Sequence, residues 1–317
     1  MKPILYMAPI MGVTGCIYRN TYSQFFNGYD IAVMPFINNT SKKKSLLSDV
    51  LPERNKANFE LVPQILHKNP KDFIILAKNL YEMGYKTVNW NLGCPLPMIR
   101  KKKKGSGLLP YSDEIVNFLK EVIAELPNQI SLKVRLGSEE KSDLANLLPM
   151  LNDFPLKEII IHPRTGKQLY TGEVDLTAFE ESLSLTNHTI VYSGDIDSLE
   201  KYKILSARFP IVNRWMLGRG GITNPFLPEQ IKNIESANKD ANLKRFISFH
   251  QALLYGYQKE LSGQAHLIGK MKEVWRYWVK AFEGGDRLFL DISRTNNVKK
   301  YLDTIEQFFR EKPSARY

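Results

Sequence analysis

The stretch that decides the fold is residues 89–95, Asn89-Trp90-Asn91-Leu92-Gly93-Cys94-Pro95. An apolar run ends there at a glycine, and a cysteine follows at once. Pro95 cannot donate a backbone hydrogen bond, so regular strand pairing stops at this point. The pattern predicts a thiol at the end of a strand, where barrel enzymes carry their reactive groups. A buried structural cysteine is the alternative, because free cysteines are often buried.

Seven more apolar, β-rich runs flank this stretch and alternate with amphipathic helical segments. Most are nearly continuous, which is typical of parallel strands covered by helices. Their starts lie roughly one βα unit apart. The sequence therefore predicts an α/β fold of the (β/α)8 TIM-barrel type, because an open doubly wound sheet would need a glycine-rich first turn. The eight predicted strands are Ile4–Ile10, Ile31–Phe36, Phe59–Leu66, Thr87–Gly93, Ile130–Leu136, Glu158–Arg164, Thr189–Ile196 and Ile211–Gly218.

Composition bounds the function. The chain has 317 residues and a net charge of +11, which favours a polyanionic partner. Its two cysteines give no disulfide framework, so we expect a reducing cytoplasm. We expect no membrane span and no signal peptide, since no apolar run is long enough. The five scattered histidines show no ligand spacing, so we expect no metal.

The chain divides into two predicted domains. Residues 1–237 form the barrel, and residues 238–317 form a small all-helical C-terminal domain that is rich in basic residues. The polar segment Asn238–Asp240 is predicted to link them. The predicted helices Leu243–Leu261, His266–Phe282 and Val298–Phe309 carry aromatic residues for a helical core, and their lysines and arginines are expected outside. We expect a monomer.

Charged side chains on the fifth predicted strand indicate an anionic ligand. Lys133 and Arg135 lie two residues apart, so both point to one side of the strand. Burying such a pair without an anion would be costly. A reduced flavin carries negative charge near N1 and the C2 carbonyl, and a lysine there stabilises that anion. Gln64 is a candidate to hydrogen-bond the polar edge of the same ring.

Two glycine-bearing turns follow the last two predicted strands, Ser193-Gly194-Asp195 and Gly218-Arg219-Gly220-Gly221. Glycine lets a phosphate approach backbone N–H groups closely, and Arg219 adds positive charge. Barrels often bind phosphate at this position, so the two turns favour a phosphorylated cofactor. His162 and Arg164 close the sixth predicted strand, where His162 is a candidate to bind flavin or substrate and Arg164 a carbonyl or a phosphate.

A long basic loop follows Cys94. Long loops at the catalytic end of a barrel are usually lids or substrate loops. The basic residues of this loop are Arg100, Lys101, Lys102, Lys103 and Lys104.

Together these residues resemble the dihydrouridine synthase family, the flavin enzymes that reduce uridine in tRNA. The resemblance covers the whole barrel, and residues 91–95, Asn-Leu-Gly-Cys-Pro, are its most specific match. Residues 7–14, 133–135, 162–168, 193–196 and 216–220 match further signatures of the family. Three positions depart from its usual pattern and bear on subfamily and target nucleotide: Gly15, Pro163 and Ser193.

The resemblance implies FMN as cofactor, NADPH as electron donor and tRNA as partner, with residues 238–317 binding RNA. It implies hydride transfer from reduced FMN to C6 of uracil and a proton from Cys94 to C5. Asn91 and Arg164 would hold the uracil carbonyls, Tyr170 would close the pocket, and residues 100–104 would contact phosphates of an everted nucleotide. The residues implied around FMN are Pro9, Ile10, Met11, Gln64, Lys133, His162, Ser193, Gly194, Asp195, Gly218 and Arg219.

Three alternatives remain open at this stage. The first is another FMN barrel oxidoreductase that reduces a small molecule, which would leave the basic helical extension without a role. The second is a dihydrouridine synthase acting on ribosomal RNA, whose site would look the same. The third is a non-catalytic RNA-binding factor, against which the presence of Cys94, Lys133 and Arg219 argues.

Overall fold

The computed structural model describes residues 2–39, 47–234, 238–311 and 313–315, and nine strands in these ranges form one parallel sheet. Across the sheet the strands run β3-β2-β1-β9-β8-β7-β6-β5-β4 when numbered along the chain as below. This order is that of a barrel, so the predicted TIM-barrel fold is confirmed. The strands are β1 (Ile4–Met7), β2 (Ile31–Val33), β3 (Glu60–Val62), β4 (Gln64–Ile65), β5 (Thr87–Leu92), β6 (Gln129–Gly137), β7 (Leu156–Thr165), β8 (Ile190–Tyr192) and β9 (Arg214–Leu217).

The ninth strand arises because one predicted strand is divided. Pro63 interrupts the predicted run Phe59–Leu66 and separates β3 from β4, since proline cannot donate a ladder hydrogen bond. β3 pairs with β2, whereas β4 pairs with β5. The sheet closes through Ile37, whose backbone N–H donates to the carbonyl oxygen of Gln64 at 2.8 Å. The eight predicted strand positions therefore match the barrel, with one strand in two parts.

Helices cover the outer face of the barrel, and capping side chains fix where several of them begin. Asn69, Asp175 and Ser198 each accept a hydrogen bond from a backbone N–H three residues later, which satisfies a free donor of the first helical turn. The barrel helices are α1 (Cys16–Phe25), α2 (Pro70–Glu82), α3 (Pro97–Arg100), α4 (Ser112–Glu125), α5 (Ser142–Leu151), α6 (Leu176–Ser184), α7 (Leu199–Arg208), α8 (Arg219–Thr223) and α9 (Leu227–Ile231).

The C-terminal region is helical, as predicted, and packs directly on the barrel. Its helices are α10 (Lys239–Glu260), α11 (Gln264–Trp278), α12 (Gly285–Arg294) and α13 (Val298–Arg310). Phe249 of α10 contacts Tyr18 of α1 edge to face, with ring centroids 5.8 Å apart. Both regions share one hydrophobic core. The helix α12 was not predicted.

The predicted boundary between the two domains stays a prediction, because residues 235–237 lie outside the described residues. The predicted linker Asn238–Asp240 is wrong in part. Asn238 caps α10 by accepting a hydrogen bond from the backbone N–H of Ala241 at 2.9 Å, and Lys239 and Asp240 already belong to the helix. A polar run with asparagine first is as typical of a helix start as of a linker.

Both cysteines are free and buried. Cys16, at the start of α1, donates its thiol hydrogen to the carbonyl oxygen of Arg54 at 3.1 Å. Within the described ranges, no helix has the length and apolar character that crossing a membrane requires. The same ranges contain no group of three or more His, Cys, Asp or Glu side chains placed to hold a metal ion.

Candidate active site

A cavity of about 1030 Å³ lies at the carboxyl ends of the strands. Parallel strands that close into a barrel bring their carboxyl ends together, which is why residues distant in sequence meet here. Cys94, Asn91 and Tyr170 line it. All the residues implied around FMN line it as well: Pro9, Ile10, Met11, Gln64, Lys133, His162, Ser193, Gly194, Asp195, Gly218 and Arg219.

Hydrogen bonds to the backbone N–H and to the carbonyl oxygen fix the position of Cys94. Its backbone N–H donates to the side-chain oxygen of Asn91 at 2.8 Å, and its carbonyl oxygen accepts from the hydroxyl of Ser106 at 3.0 Å. Gly105 has a φ of +57°, and a Cβ there would lie 2.8 Å from the Cβ of Cys94, so only glycine fits. Burial raises the pKa of the Cys94 thiol. The thiol is therefore protonated at neutral pH and can donate a proton into the cavity.

The side chain of Lys133 reaches the cavity from β6, partly buried. Burial, together with the neighbouring Arg135, lowers the pKa of Lys133 to about 7. Among the described residues no carboxylate forms an ion pair with Lys133. A buried amine in this setting gains most from a ligand that brings negative charge.

His162 presents an acceptor to the cavity. Its Nδ1 donates to the carbonyl oxygen of Ser193, while its Nε2 is buried without a hydrogen-bond partner. Burial, with Arg135 and Lys133 nearby, holds the pKa of His162 well below its ordinary value, so the imidazole is neutral. The unpaired Nε2 is a site for a donor from a bound molecule.

Asp195 pairs with two basic side chains, Arg219, which lines the cavity, and Arg164, which lies behind it. Its carboxylate accepts from Arg164 at 3.1 Å and from Arg219 at 2.7 Å. Arg164 is 1% exposed and also donates to the carbonyl oxygen of Gly172. The structure thus does not bring Arg164 to the cavity surface, and its contact with a uracil carbonyl stays a prediction.

Tyr170 lies at the mouth of the cavity and is 54% exposed. The guanidinium carbons of Arg135 and Arg219 each lie 5.1 Å from the centroid of its ring, a distance at which cations and aromatic faces attract. Arg135 also donates to the carbonyl oxygen of Gly93 at 3.1 Å, so it ties the loop of the reactive cysteine to this ring. The position suits the closing role predicted for Tyr170.

The basic loop lies outside the cavity, and only part of it is open to a ligand. Arg100 donates to the hydroxyl of Ser138 and forms an ion pair with Glu139 at 3.1 Å. The ammonium of Lys103 sits 3.8 Å from the ring centroid of Tyr111. Lys104 is partly buried, and burial lowers its pKa. The two exposed members are Lys101 and Lys102.

The C-terminal region contributes cavity residues that the sequence did not reveal. The cavity is also lined by Tyr277 of α11, and by Lys280 and Ala281 of the 3₁₀ turn that follows. Lys270 of α11 donates to the carbonyl oxygen of Gly12, after β1, which holds the helix there. No local signal marks these residues, since their position depends on how the helices dock.

Comparison with solved structures identifies the class of fold. The chain is similar to morphinone reductase, with a TM-score of 0.54 and 10% identity over 75% of this chain and 87% of that one. It is also similar to the old yellow enzyme homologue from Zymomonas mobilis, with a TM-score of 0.52 and 12% identity over 74% and 90% of the chains. At such identities the likeness establishes the barrel fold alone.

Comparison with protein families is more specific. The model described as "Dihydrouridine synthase (Dus)" matches residues 6–312, and the chain belongs to this family. It is 26% identical to the tRNA-dihydrouridine synthase B of Pasteurella multocida, over 82% of this chain and 80% of the relative. It is 24% identical to the tRNA-dihydrouridine(16) synthase of Neisseria meningitidis serogroup B, over 98% and 96%.

Proposed function

We propose that this protein reduces specific uridines in tRNA to 5,6-dihydrouridine, with FMN as bound cofactor and NADPH as electron donor. Membership of the dihydrouridine synthase family and the names of the two relatives support the reaction. The observation that carries the proposal is one cavity that joins the protonated thiol of Cys94 to the cationic wall around Lys133.

The residues present fit FMN. Lys133 lacks an anionic partner among the described residues and would stabilise negative charge on the ring, while the free Nε2 of His162 would accept a hydrogen bond. A Cβ at Gly194 would lie 2.1 Å from the hydroxyl of Tyr192, so only a glycine backbone fits the turn that would meet the phosphate. Gly218 and Arg219 line the same end of the cavity. When bound, FMN supplies the hydride that uracil receives at C6.

The side chains of this chain would supply the proton and hold the base. The thiol of Cys94 would donate its proton to C5 of uracil, and burial keeps that proton in place at neutral pH. Asn91 lines the cavity beside Cys94 and would donate to a uracil carbonyl. Tyr170 would close over the base and exclude water.

A nucleotide inside folded RNA must leave its stack to reach this cavity, which costs a few kcal/mol. Contacts to phosphates would offset that free energy. Lys101 and Lys102 beside the cavity, and Lys280 on its C-terminal wall, are exposed and available for such contacts. The helical region would therefore share in binding tRNA.

The direct test incubates the FMN-loaded protein with NADPH and unmodified tRNA, and measures dihydrouridine by mass spectrometry of the digested RNA. We expect product with tRNA, and far less with ribosomal RNA or free uridine. Cys94→Ala should lose most activity, whereas Cys16→Ala, which removes the other buried thiol away from the cavity, should retain it. Product from ribosomal RNA or free uridine at the same rate would overturn the choice of substrate.

A further inference from the structure

Three neighbouring strands place a row of polar side chains inside the barrel. Gln64 of β4 is the register partner of Asn89 of β5, and Asn89 is the partner of Ser131 of β6. The side-chain N–H of Gln64 donates to the oxygen of Asn89 at 2.7 Å, and the side-chain N–H of Asn89 donates to the hydroxyl of Ser131 at 2.8 Å. Asn89 and Ser131 are fully buried and do not line the cavity.

The row continues to the reactive cysteine. The side-chain N–H of Asn91 donates to the oxygen of Gln64 at 2.7 Å. The oxygen of Asn91 accepts from the backbone N–H of Gly93 at 3.0 Å and of Cys94 at 2.8 Å. Five hydrogen bonds thus connect the interior of the barrel to the loop that holds the thiol.

Chemistry fixes the direction of every bond in this row. A backbone N–H can only donate, so the amide of Asn91 must turn its oxygen toward Gly93 and Cys94 and its nitrogen toward Gln64. The oxygen of Gln64 must then face Asn91, and its nitrogen must face Asn89. The oxygen of Asn89 must therefore face Gln64, and its nitrogen must face the hydroxyl of Ser131, whose oxygen can accept.

The orientation of the two amides determines which hydrogen-bonding groups the cavity wall presents to a ligand. Two bonds already occupy the acceptor sites of the Asn91 oxygen, and one of its N–H groups is used, so one N–H remains. Gln64 likewise keeps one unused N–H. Because both residues line the cavity, this wall presents donors, which suit carbonyl oxygens on a bound ring.

We propose that Asn89, anchored on Ser131, is a positioning residue that holds Gln64 and Asn91 with their free N–H groups available to the cavity. This inference rests on the proposed function, because the rings it concerns are FMN and uracil. Asn89 touches neither ring and acts through Gln64.

Removing Asn89 should disturb the site more than the fold. In Asn89→Leu, the N–H of Gln64 loses its acceptor in a dry interior, and the amide must turn to find another. We expect the dissociation constant of FMN to rise about tenfold, because the loss of one buried hydrogen bond changes an equilibrium constant by about that factor. We expect kcat to fall by about the same factor, while KM for tRNA changes less than about twofold because phosphate contacts lie elsewhere.

Asn89→Asp is the conservative variant. Because burying an unpaired carboxylate is costly, we expect this carboxyl to stay protonated, with its carbonyl oxygen accepting from Gln64 and its hydroxyl donating to the hydroxyl oxygen of Ser131. We expect it to restore FMN binding and kcat to within about threefold of the original chain. Asn128→Leu is the matched structural control, because Asn128 is buried and donates to the carbonyl oxygen of Tyr85 away from the cavity.

The experiment titrates the flavin-free proteins with FMN and follows flavin fluorescence, then measures kcat and KM with tRNA. An effect on FMN affinity and kcat in Asn89→Leu, reversed in Asn89→Asp and absent in Asn128→Leu, supports the proposal. Unchanged affinity and kcat in Asn89→Leu, or no recovery in Asn89→Asp, overturns it. If Asn89→Leu does not fold, Ser131→Ala takes its place, and unchanged FMN affinity there overturns the proposal. Failure of the original chain to bind FMN would instead overturn the proposed function, and this inference with it.

Discussion

Replacing Lys133 by methionine should make the flavin-free protein more stable while impairing its site. Burial and the neighbouring Arg135 lower the pKa of Lys133 from 10.5 to about 7. Between these two values the unfolded chain binds a proton that the folded chain does not, so stability rises with pH in this window. Below about pH 7 the full free-energy cost of burying the charged amine is present. Lys133→Met removes that cost.

The size of the effect follows from the same values. A pKa lowered from 10.5 to about 7 corresponds to roughly 5 kcal/mol for an amine entirely out of water. Lys133 is only partly buried and faces an open cavity, so we expect about 2 kcal/mol at pH 6. The difference should disappear above about pH 10.5, where the amine is neutral in both states.

Urea unfolding of the flavin-free proteins between pH 6 and about pH 10.5 measures this difference. Lys120→Met is the control, because Lys120 is exposed on α4, and such a change should alter the free energy of unfolding by less than about 0.5 kcal/mol. In the loaded protein, Lys133→Met should lower the midpoint potential of FMN, since it removes a cation that favours the reduced ring. If Lys133→Met is no more stable than the original chain at pH 6, the inference that Lys133 carries a charge without an anionic partner is refuted.

Three further predictions follow from the site. Cys94→Ala should keep FMN, seen as flavin absorbance, and should lose at least about 100-fold in uridine reduction because the proton donor is gone. Asp195→Ala should lower the free energy of unfolding by about 3 kcal/mol above pH 4, because the buried guanidinium of Arg164 loses its partner. Thermal unfolding measures this loss, with Asp197→Ala as the control because Asp197 is exposed. Burial raises the pKa of Asp195, but hydrogen bonds from Arg164 and Arg219 outweigh burial and hold that pKa below its ordinary value, so the loss should shrink as the pH falls below about 4 and vanish only below that lowered pKa. Binding of tRNA should weaken steeply with salt, and a double Lys101→Ala, Lys102→Ala variant should reduce the slope by about 2 in a filter-binding series.

The barrel could be predicted because its signal is local. Each strand is a short apolar run and each helix a separate amphipathic segment, so their alternation is visible without knowledge of contacts. The break at Pro63 within the third predicted strand was not predicted, and the sheet closes there only through Ile37, which lies in the preceding loop. Such closure is a property of the whole sheet.

The cavity could be predicted in outline because strand ends meet at one face of a barrel. The partners of the individual side chains could not. Arg164 looked like a ligand at a strand end, yet it pairs with Asp195, which follows the next strand. Tyr277 and Lys280 reach the cavity only through the docking of α11 on the barrel. The sequence assigns no role to Asn89, because its contacts depend on the register of three strands.

The most direct test of the central claim is a single turnover without oxygen. The FMN of the loaded protein is reduced, excess NADPH is removed, and unmodified tRNA is added while flavin absorbance is followed and dihydrouridine is counted. We predict that the flavin is reoxidised only when tRNA is present, with one dihydrouridine formed for each FMN. Reoxidation that does not depend on tRNA, or that leaves no dihydrouridine in the RNA, would contradict the account.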